Sequence, residues 1–249
     1  MLNKNYNEQL VVKAISKALQ VFYDSLINSI DGLDLSKVLK KKNPYLYRAK
    51  AMNRAEDIVE AILSAYVSSS EETIFGNVFF EPIAKAVTGG DKALAEGIDI
   101  MVEDRQTNTM HAIAVKSGPN VFNADSKKRQ EENFVAASKL AKQGHYMYDA
   151  IIGYSYGKKR STGRGKPKIY RELAGQDFWF ELTGDKDFYQ KIIKFMGDLP
   201  EQNLKKYQIS YDRAKNRLLK PFMRDFCNDD GTINWDRLVR YNSGSSNIK

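Results

Sequence analysis

The sequence has few of the residues that build disulfides or zinc sites, and it has no membrane-spanning stretch. Its one cysteine, Cys227, cannot form an internal disulfide. Its two histidines, His111 and His145, lack the spacing of metal ligands, so no zinc site is indicated. No apolar run approaches the roughly 20 residues that cross a bilayer, and the first residues lack the apolar region of a signal peptide. We therefore expect a soluble, cytoplasmic protein with no membrane partner.

Two catalytic motifs are also missing. Gly165-Lys166 lies in a basic loop, but Arg160 and Pro167 stand where a Walker A motif needs a glycine and a serine or threonine. The sequence has no recognisable nucleophile elbow of a serine hydrolase. It therefore indicates neither a nucleotide cofactor nor Ser-His-Asp catalysis.

The charge balance of the chain is basic. Its 249 residues carry 39 Lys and Arg against 31 Asp and Glu, a formal net charge of +8, and its pI is about 9.3. A basic balance favours polyanionic partners, above all nucleic acid. Many basic proteins bind no nucleic acid, so charge alone leaves the partner open. The hydrophobic content of 42% is enough for a sizeable core.

A β-hairpin is predicted over residues 97–118, where two alternating apolar runs flank a polar turn. Asp99 lies on the first strand. Lys116 lies near the end of the second strand and shares one face with Ala112 and Ala114, because successive side chains of a strand point to opposite faces. An acid and a lysine among small neighbours leave room for a ligand. The alternative is a structural ion pair, since an unpaired buried Asp99 would be costly.

Hydrophobic spacing and turn residues divide the rest of the chain into helices and short strands. We predict helices over 8–30, from Asn53, over 73–88 with an interruption at Pro82, over 127–143 after a Ser126 cap, over 185–196 and over 201–220, a break at Ser68–Thr73, and strands at Ala150–Tyr156 and Phe178–Leu182. This order indicates an α/β fold with a mixed sheet packed between helices. The predicted regions are helical residues 1–70, a core over 71–200 and helical residues 201–249.

The hairpin resembles the core of the PD-(D/E)xK nucleases, with Asp99 at the first acidic position and Lys116 at the lysine. Further segments are similar to the PmeII-type group of type II restriction endonucleases, and the resemblance spans roughly residues 40–195. These segments are Asn43–Lys50, Ser68–Gly76, Ala95–Ile100 and Lys116–Asn120, with weaker likeness at Ile152–Tyr154 and Asp177–Trp179.

The resemblance implies a restriction-endonuclease-like fold and a Mg²⁺-dependent enzyme that cuts double-stranded DNA at a specific sequence, usually as a homodimer. It also implies that Asp99 holds Mg²⁺ and that Lys116 stabilises the negative charge of the transition state. The second acid of the motif is missing, because Ala114 occupies its place. Glu81, on the preceding helix, is the expected substitute catalytic and metal ligand. Glu131 and Glu72 are the alternatives, and each could instead be a solvated surface glutamate.

DNA contacts are expected from polar and basic residues near the hairpin. Ser117 and Asn120 follow Lys116, where short polar groups can hold a phosphate, although ordinary turn chemistry explains them equally well. The basic residues are Lys127 and Lys128 at the start of the next helix, and Lys158, Lys159, Arg160, Arg164 and Lys166 in the loop over 157–168. Two rival functions remain open: a non-specific or repair nuclease with the same core, and a DNA-binding module that has lost catalysis.

Overall fold

The structure is a computed structural model that describes residues 2–3, 5–92, 95–159 and 168–244. Its contacts divide the chain into two compact units. The first contains the residues up to Val21 together with Phe75–Pro200, and the second contains Phe22–Ile74 together with the residues from Glu201 onward. Among the described residues, no helix has the length and apolar character needed to cross a bilayer.

The described residues form ten helices and a single five-stranded sheet. The helices are α1 (Glu8–Asp31), α2 (Leu35–Leu39), α3 (Pro44–Ala49), α4 (Ala55–Val78), α5 (Phe80–Thr88), α6 (Ala124–Gln143), α7 (Gln176–Thr183), α8 (Phe188–Met196), α9 (Leu199–Phe226) and α10 (Trp235–Ser243). The strands are β1 (Asp91–Lys92), β2 (Ile100–Asp104), β3 (Thr109–Lys116), β4 (Met147–Tyr154) and β5 (Arg171–Ala174).

The sheet is mixed, and its order follows the chain from β1 to β5. The hairpin of β2 and β3 is antiparallel, and β1 pairs antiparallel with β2. The strands β3, β4 and β5 run parallel, with α6 connecting β3 to β4. The predicted α/β class, a mixed sheet flanked by helices with further helices toward both ends of the chain, is confirmed.

The two faces of the sheet carry side chains of different size. One face buries Ile100, Ile113 and Ile151 against residues of α1, α5, α7 and α8. The other face buries small residues, including Ala112, Ala114 and Ala150, beneath α6. Alanines let the helix approach the strands closely, and Phe134 of α6 fills the remaining space with no exposed surface.

The predicted strand at Phe178–Leu182 is wrong, because this segment belongs to α7. Its buried residues Phe178, Trp179, Leu182 and Thr183 are spaced as on one side of a helix rather than in alternation. The helix ends at Gly184, whose φ of 70° suits a glycine after a helix C-terminus. The short parallel strand β5 precedes it, and the sequence analysis did not predict this strand.

The predicted break at Ser68–Thr73 is also wrong, since α4 continues through these residues to Val78. The Thr73 hydroxyl donates to the Ser69 carbonyl, as a hydroxyl inside a helix commonly does. The predicted interruption of the helix over 73–88 takes the form of a restart, because α4 ends at Val78 and α5 begins at Phe80. Pro82 lies in the first turn of α5, where proline is tolerated, so it does not kink the helix. Asn123, rather than Ser126, caps α6, and Ser126 completes a reciprocal capping box with it.

The second unit is a helical cluster with its own apolar core. The core is formed by one side of α4 and of α9, together with parts of α1, α2 and α3 and with α10. Ile58, Ile62, Ala214 and Phe222 are fully buried in it. Ser210 of α9 is buried in this unit, and its hydroxyl donates a hydrogen bond of 2.8 Å to the Asp31 carboxylate.

A charged network lies on the sheet of the first unit, away from the strand ends that carry Asp99 and Lys116. The strand register pairs His111 with Asp149, and their side chains meet at 2.9 Å. Arg171 donates two hydrogen bonds to Asp149 and a third to Glu181. Burial acts to raise the pKa of the Asp149 carboxyl, but the hydrogen bonds from His111 and Arg171 outweigh it and lower that pKa to about 2.

We expect Asp149→Asn to remove a pH-dependent contribution to the free energy of unfolding. A lowered pKa means that Asp149 stabilises the fold above its ordinary pKa of 3.8, and that this stabilisation is lost as the pH falls toward about 2. The variant should lose about 2 kcal/mol at pH 7 and should lose less than the wild type on acidification. Urea unfolding measured at several pH values between 7 and 3 tests this, and equal pH slopes for the two proteins would contradict it.

Candidate active site

Asp99 lies at the strand ends where the hairpin meets the parallel strands. It directly precedes β2, and its backbone N–H donates to the Ile113 carbonyl at 2.9 Å. The last registered pair of the hairpin is Ile100 with Ile113, so Asp99 lies just beyond the paired residues of β2. Lys116 is the last residue of β3. These positions lie at the carboxyl edge of the parallel strands, where open α/β sheets bind their ligands.

The Asp99 carboxylate has two positive or polar neighbours from β3. The Val115 N–H donates to Asp99 Oδ2 at 2.7 Å, and Lys116 Nζ lies 3.5 Å from the same oxygen. Both charged side chains are about three-quarters buried, with exposures of 26% for Lys116 and 24% for Asp99. The structure therefore brings together the two residues that the hairpin predicts as a pair.

The pKa of Asp99 is nevertheless raised above its usual value of 3.8. Burial is the main cause, and the negative charge of Glu81 adds to it, while Lys116 and the Val115 N–H oppose the shift. The ionised form of Asp99 is thus disfavoured even though Lys116 is adjacent, because the surroundings hold too little positive charge. A bound cation would supply that positive charge.

Glu81 lies in the first turn of α5 and is half-buried. It forms an ion pair with Lys85, one turn along the same helix. Its charge reaches Asp99, because it contributes to the raised pKa of that carboxyl. Carboxylate oxygens are the hard ligands that Mg²⁺ prefers.

The carboxylates alone do not complete a metal site. In the described ranges, no group of three or more His, Cys, Asp or Glu side chains is placed to hold a metal ion. Ala114, fully buried on β3, contributes no side-chain oxygen. A Mg²⁺ ion fits here only with Asp99 and Glu81 supplemented by water, backbone carbonyl or phosphate oxygens, as is usual for this cation.

Two close contacts fix the backbone on either side of the site. A Cβ atom at Gly76 of α4 would lie 3.0 Å from the Ser117 hydroxyl oxygen, so glycine lets the end of α4 pack beside the residue after Lys116. Gly97 has a φ of 71°, and a Cβ atom there would lie 2.2 Å from the Asn133 amide nitrogen. Gly97 therefore requires both the backbone freedom and the small size of glycine.

Gln130 of α6 holds the segment that carries Asp99, and the sequence analysis missed it. Its amide nitrogen donates to the Gly97 carbonyl at 2.7 Å, and the residue is only 5% exposed. It lies on the buried side of α6 with Phe134 and Ala137. A glutamine at a spacing of four from a buried phenylalanine was the available signal.

The two alternative acids have different surroundings. Glu131 accepts a hydrogen bond of 2.8 Å from the Tyr170 hydroxyl. This contact raises the pKa of Tyr170, after burial as the main cause. Glu72 is an exposed residue of α4 and belongs to the second unit. Of the three candidate substitutes for the missing acid, Glu81 is the one whose charge contributes to the raised pKa of Asp99.

The predicted DNA-binding residues fall into three groups. Asn120, Lys128 and Lys158 are exposed, and Ser117 is half-buried beside Gly76. Lys127 and Lys159 both lie against Glu172 of β5, a residue that the sequence analysis did not single out. The remaining three, Arg160, Arg164 and Lys166, lie outside the described residues.

The arrangement suits chemistry on an anionic substrate. Lys116 presents a positive charge at the carboxyl edge of the sheet, 3.5 Å from the Asp99 carboxylate. A cation held by Asp99 and the adjacent ammonium group would both offer positive charge to a phosphate.

Comparison with known families agrees with this chemistry. The family model described as type II restriction endonuclease EcoO109I matches residues 9–203 of the chain. The matched segment includes Glu81, Asp99 and Lys116. A search of curated proteins found no significant match.

We expect Asp99→Asn to leave the free energy of unfolding unchanged or to increase it. A raised pKa means that the fold favours the protonated acid, so the ionised carboxylate at pH 8 costs free energy that a neutral amide does not. Thermal unfolding of Asp99→Asn and of Asp149→Asn at pH 8 provides a matched comparison, because the pKa of Asp149 is shifted in the opposite direction. A larger loss of Tm for Asp99→Asn than for Asp149→Asn would indicate a structural ion pair.

Proposed function

The chain belongs to the type II restriction endonuclease EcoO109I family, and we propose that it is a Mg²⁺-dependent enzyme that cuts double-stranded DNA at a specific sequence. Membership of the family supports nuclease activity and implies DNA binding. The metal, the sequence specificity and the residues in each role are our proposal. The observation that carries it is the Asp99–Lys116 pair at the strand ends, with Glu81 close enough to raise the pKa of Asp99.

We further propose that this site is a PD-(D/E)xK site of the PmeII type, within a catalytic core over residues 71–200. Asp99 and Glu81 would hold Mg²⁺, which when bound polarises the phosphate and makes a nucleophilic hydroxide accessible near neutral pH. Lys116 lies 3.5 Å from Asp99, so its ammonium group can also neutralise charge that develops on the phosphate. Ala114 supplies no ligand.

The route of the DNA follows from the exposed polar and basic side chains around this edge. Ser117 and Asn120 come directly after Lys116, where they can donate hydrogen bonds to phosphate oxygens. Lys127, Lys128, Lys158 and Lys159 supply positive charge on adjoining segments. Arg160, Arg164 and Lys166 complete the proposed basic loop, which could read base edges or neutralise phosphates.

We propose that the active form is a homodimer. A palindromic site presents each strand once per half-site, so two copies related by a two-fold axis would place one Asp99–Lys116 pair at each strand. Residues 1–70, which are largely helical, are the proposed dimer or DNA-clasping region. Sedimentation of the purified protein with and without a cleavable duplex measures the stoichiometry.

Cleavage of plasmid DNA in Mg²⁺ should depend on both residues of the pair. Asp99→Asn removes one proposed metal ligand, and Lys116→Ala removes the adjacent positive charge, so each should lower the single-turnover rate by at least about 100-fold. The wild-type reaction is followed on gels, and sequencing of the ends gives the cut site. Near-normal cleavage by either variant would refute the assignment of this site.

The pattern of ends separates the proposed function from its two rivals. Ends that share one sequence support a restriction endonuclease. Ends spread over many sequences indicate a non-specific or repair nuclease. DNA binding by the wild type without any cutting, detected by footprinting, indicates a binding module that lost catalysis when Ala114 replaced the acid.

Glu81 and Glu131 provide a matched test of which acid replaces the missing one. We expect Glu81→Gln to lose most activity, because its charge reaches Asp99, whereas Glu131→Gln should lose little, because its carboxylate is engaged by Tyr170. Single-turnover cleavage across a Mg²⁺ titration measures both. An inactive Glu131→Gln beside a normal Glu81→Gln would move the acid to α6, and if neither matters, Glu72 becomes the candidate.

A further inference from the structure

A second group of charged residues lies around Glu172 on β5. The Lys159 ammonium group contacts its carboxylate at 2.5 Å, and the Lys168 ammonium group donates to the other oxygen. Lys127 lies 3.6 Å away, and the Tyr154 hydroxyl donates at 2.9 Å. Three ammonium groups from three different segments therefore converge on one carboxylate, which we call the Glu172 cluster.

The Glu172 cluster has more positive than negative charge. Three lysines face one glutamate, which leaves an excess of two charges, and counting Glu131 beyond Tyr170 still leaves an excess of one. The Glu172 side chain is only 10% exposed, whereas the exposures of the lysine side chains range from 28% to 45%. The anion is thus largely buried, while the ammonium groups keep donors free for a partner from solvent.

The lysines occupy positions that need an anion. Lys127 lies in the first turn of α6, where the helix dipole disfavours a cation. Lys159 also lies 4.3 Å from the centre of the Tyr154 ring. Burial acts to raise the pKa of Glu172, but hydrogen bonds from Lys159, Lys168 and Tyr154 outweigh it and lower that pKa to about 2. Glu172 is therefore ionised, and it holds the ammonium groups in one place without neutralising them all.

The cluster lies in register with the candidate active site. The strand pairing aligns Glu172 with Ile152, and Ile152 with Ala114, which comes two residues before Lys116 on β3. Glu172 is therefore two strands from the strand that carries Lys116, a distance of about 10 Å across the sheet at the usual strand spacing. Each strand of B-DNA carries one phosphate per roughly 3.4 Å along the helix axis. Ten ångströms along that axis thus correspond to about three nucleotides.

We propose that Lys127, Lys159 and Lys168, held by Glu172, form a site for a DNA backbone phosphate about three nucleotides from the bond that is cut. The inference rests on the proposed function and adds Lys168 as a contact and Glu172 as a positioning residue. Lysine ammonium groups act as point charges and read no base. The site therefore fixes the position of the DNA strand and does not select its sequence.

The direction in which Glu172→Gln changes the DNA affinity shows whether Glu172 positions the lysines or acts only through its negative charge. Glu172→Gln makes the protein more positive, so charge alone predicts tighter DNA binding. If Glu172 holds the lysines in place, the variant should instead bind DNA several-fold more weakly. Glu132→Gln is the matched control, because it removes an equal charge from an exposed position on α6, and it should bind as the wild type does or slightly more tightly.

Binding is measured by anisotropy of a labelled duplex that contains the cleaved sequence, between 50 and 200 mM KCl in EDTA. Lys168→Gln should lower the log-log salt slope by about 0.9, which corresponds to about eightfold weaker binding at 0.1 M salt. The cleaved sequence should be unchanged in all three variants. Lys168 is exposed, so Lys168→Gln should fold normally. It therefore still tests the proposed phosphate contact if Glu172→Gln fails to fold.

Two outcomes would overturn the inference. An unchanged slope for Lys168→Gln would mean that the cluster contacts no phosphate, and tighter binding by folded Glu172→Gln than by Glu132→Gln would mean that Glu172 only repels DNA. These outcomes differ from failure of the proposed function, in which the wild-type protein itself does not cut DNA.

Discussion

The candidate site depends on burying one carboxylate where β2 and β3 meet the parallel strands. Asp99 is three-quarters buried, receives the Val115 N–H and lies 3.5 Å from Lys116, yet its pKa is raised. A buried acid with a single incomplete ion pair costs free energy, and its surroundings must hold it in place. The fold does this through its backbone: the Asp99 N–H donates to the Ile113 carbonyl, and the Gln130 side chain donates to the carbonyl of Gly97. The site is therefore set by hydrogen bonds of the main chain rather than by the attraction between its charges.

The small residues of β3 and β4 make this arrangement possible. Ala112, Ala114 and Ala150 form a shallow sheet face on which α6 packs, and the same helix carries Gln130 toward Gly97. A larger residue at Ala114 would compete with α6 for space, since a well-packed core resists added volume. An acid at this position would therefore disturb the close approach of the helix. Glu81, whose charge contributes to the raised pKa of Asp99, belongs to α5 on the opposite face of the sheet and does not disturb that packing.

The sequence was sufficient for the hairpin, for most helices and for the Asp99–Lys116 pair, because these depend on periodicity over neighbouring residues. It failed at Phe178–Leu182, where a short run of aromatics fits a strand and a helix equally well until its packing is known. It also gave no indication of Glu172. That residue lies on a strand of four residues, and its partners come from segments up to 45 positions away, since Lys127 is one of them. Contacts of this kind are fixed by strand pairing, which a pattern in one sequence does not encode.

The direction of each pKa shift separates acids that stabilise the fold from acids that cost it free energy. Asp149 and Glu172 are both partly buried, and in each case hydrogen bonds from cations outweigh burial and lower the pKa to about 2. The Asp99 side chain has nearly the same exposure as that of Asp149, yet at Asp99 burial outweighs the partners and raises the pKa. A purely structural role does not explain an acid whose ionised form costs the fold free energy. A neutral residue in its place would remove that cost without loss of stability. The raised pKa of Asp99 is explained if a cation binds beside this carboxylate together with the substrate. Asp99 would then cost the fold free energy because it serves the chemistry that we propose at this site.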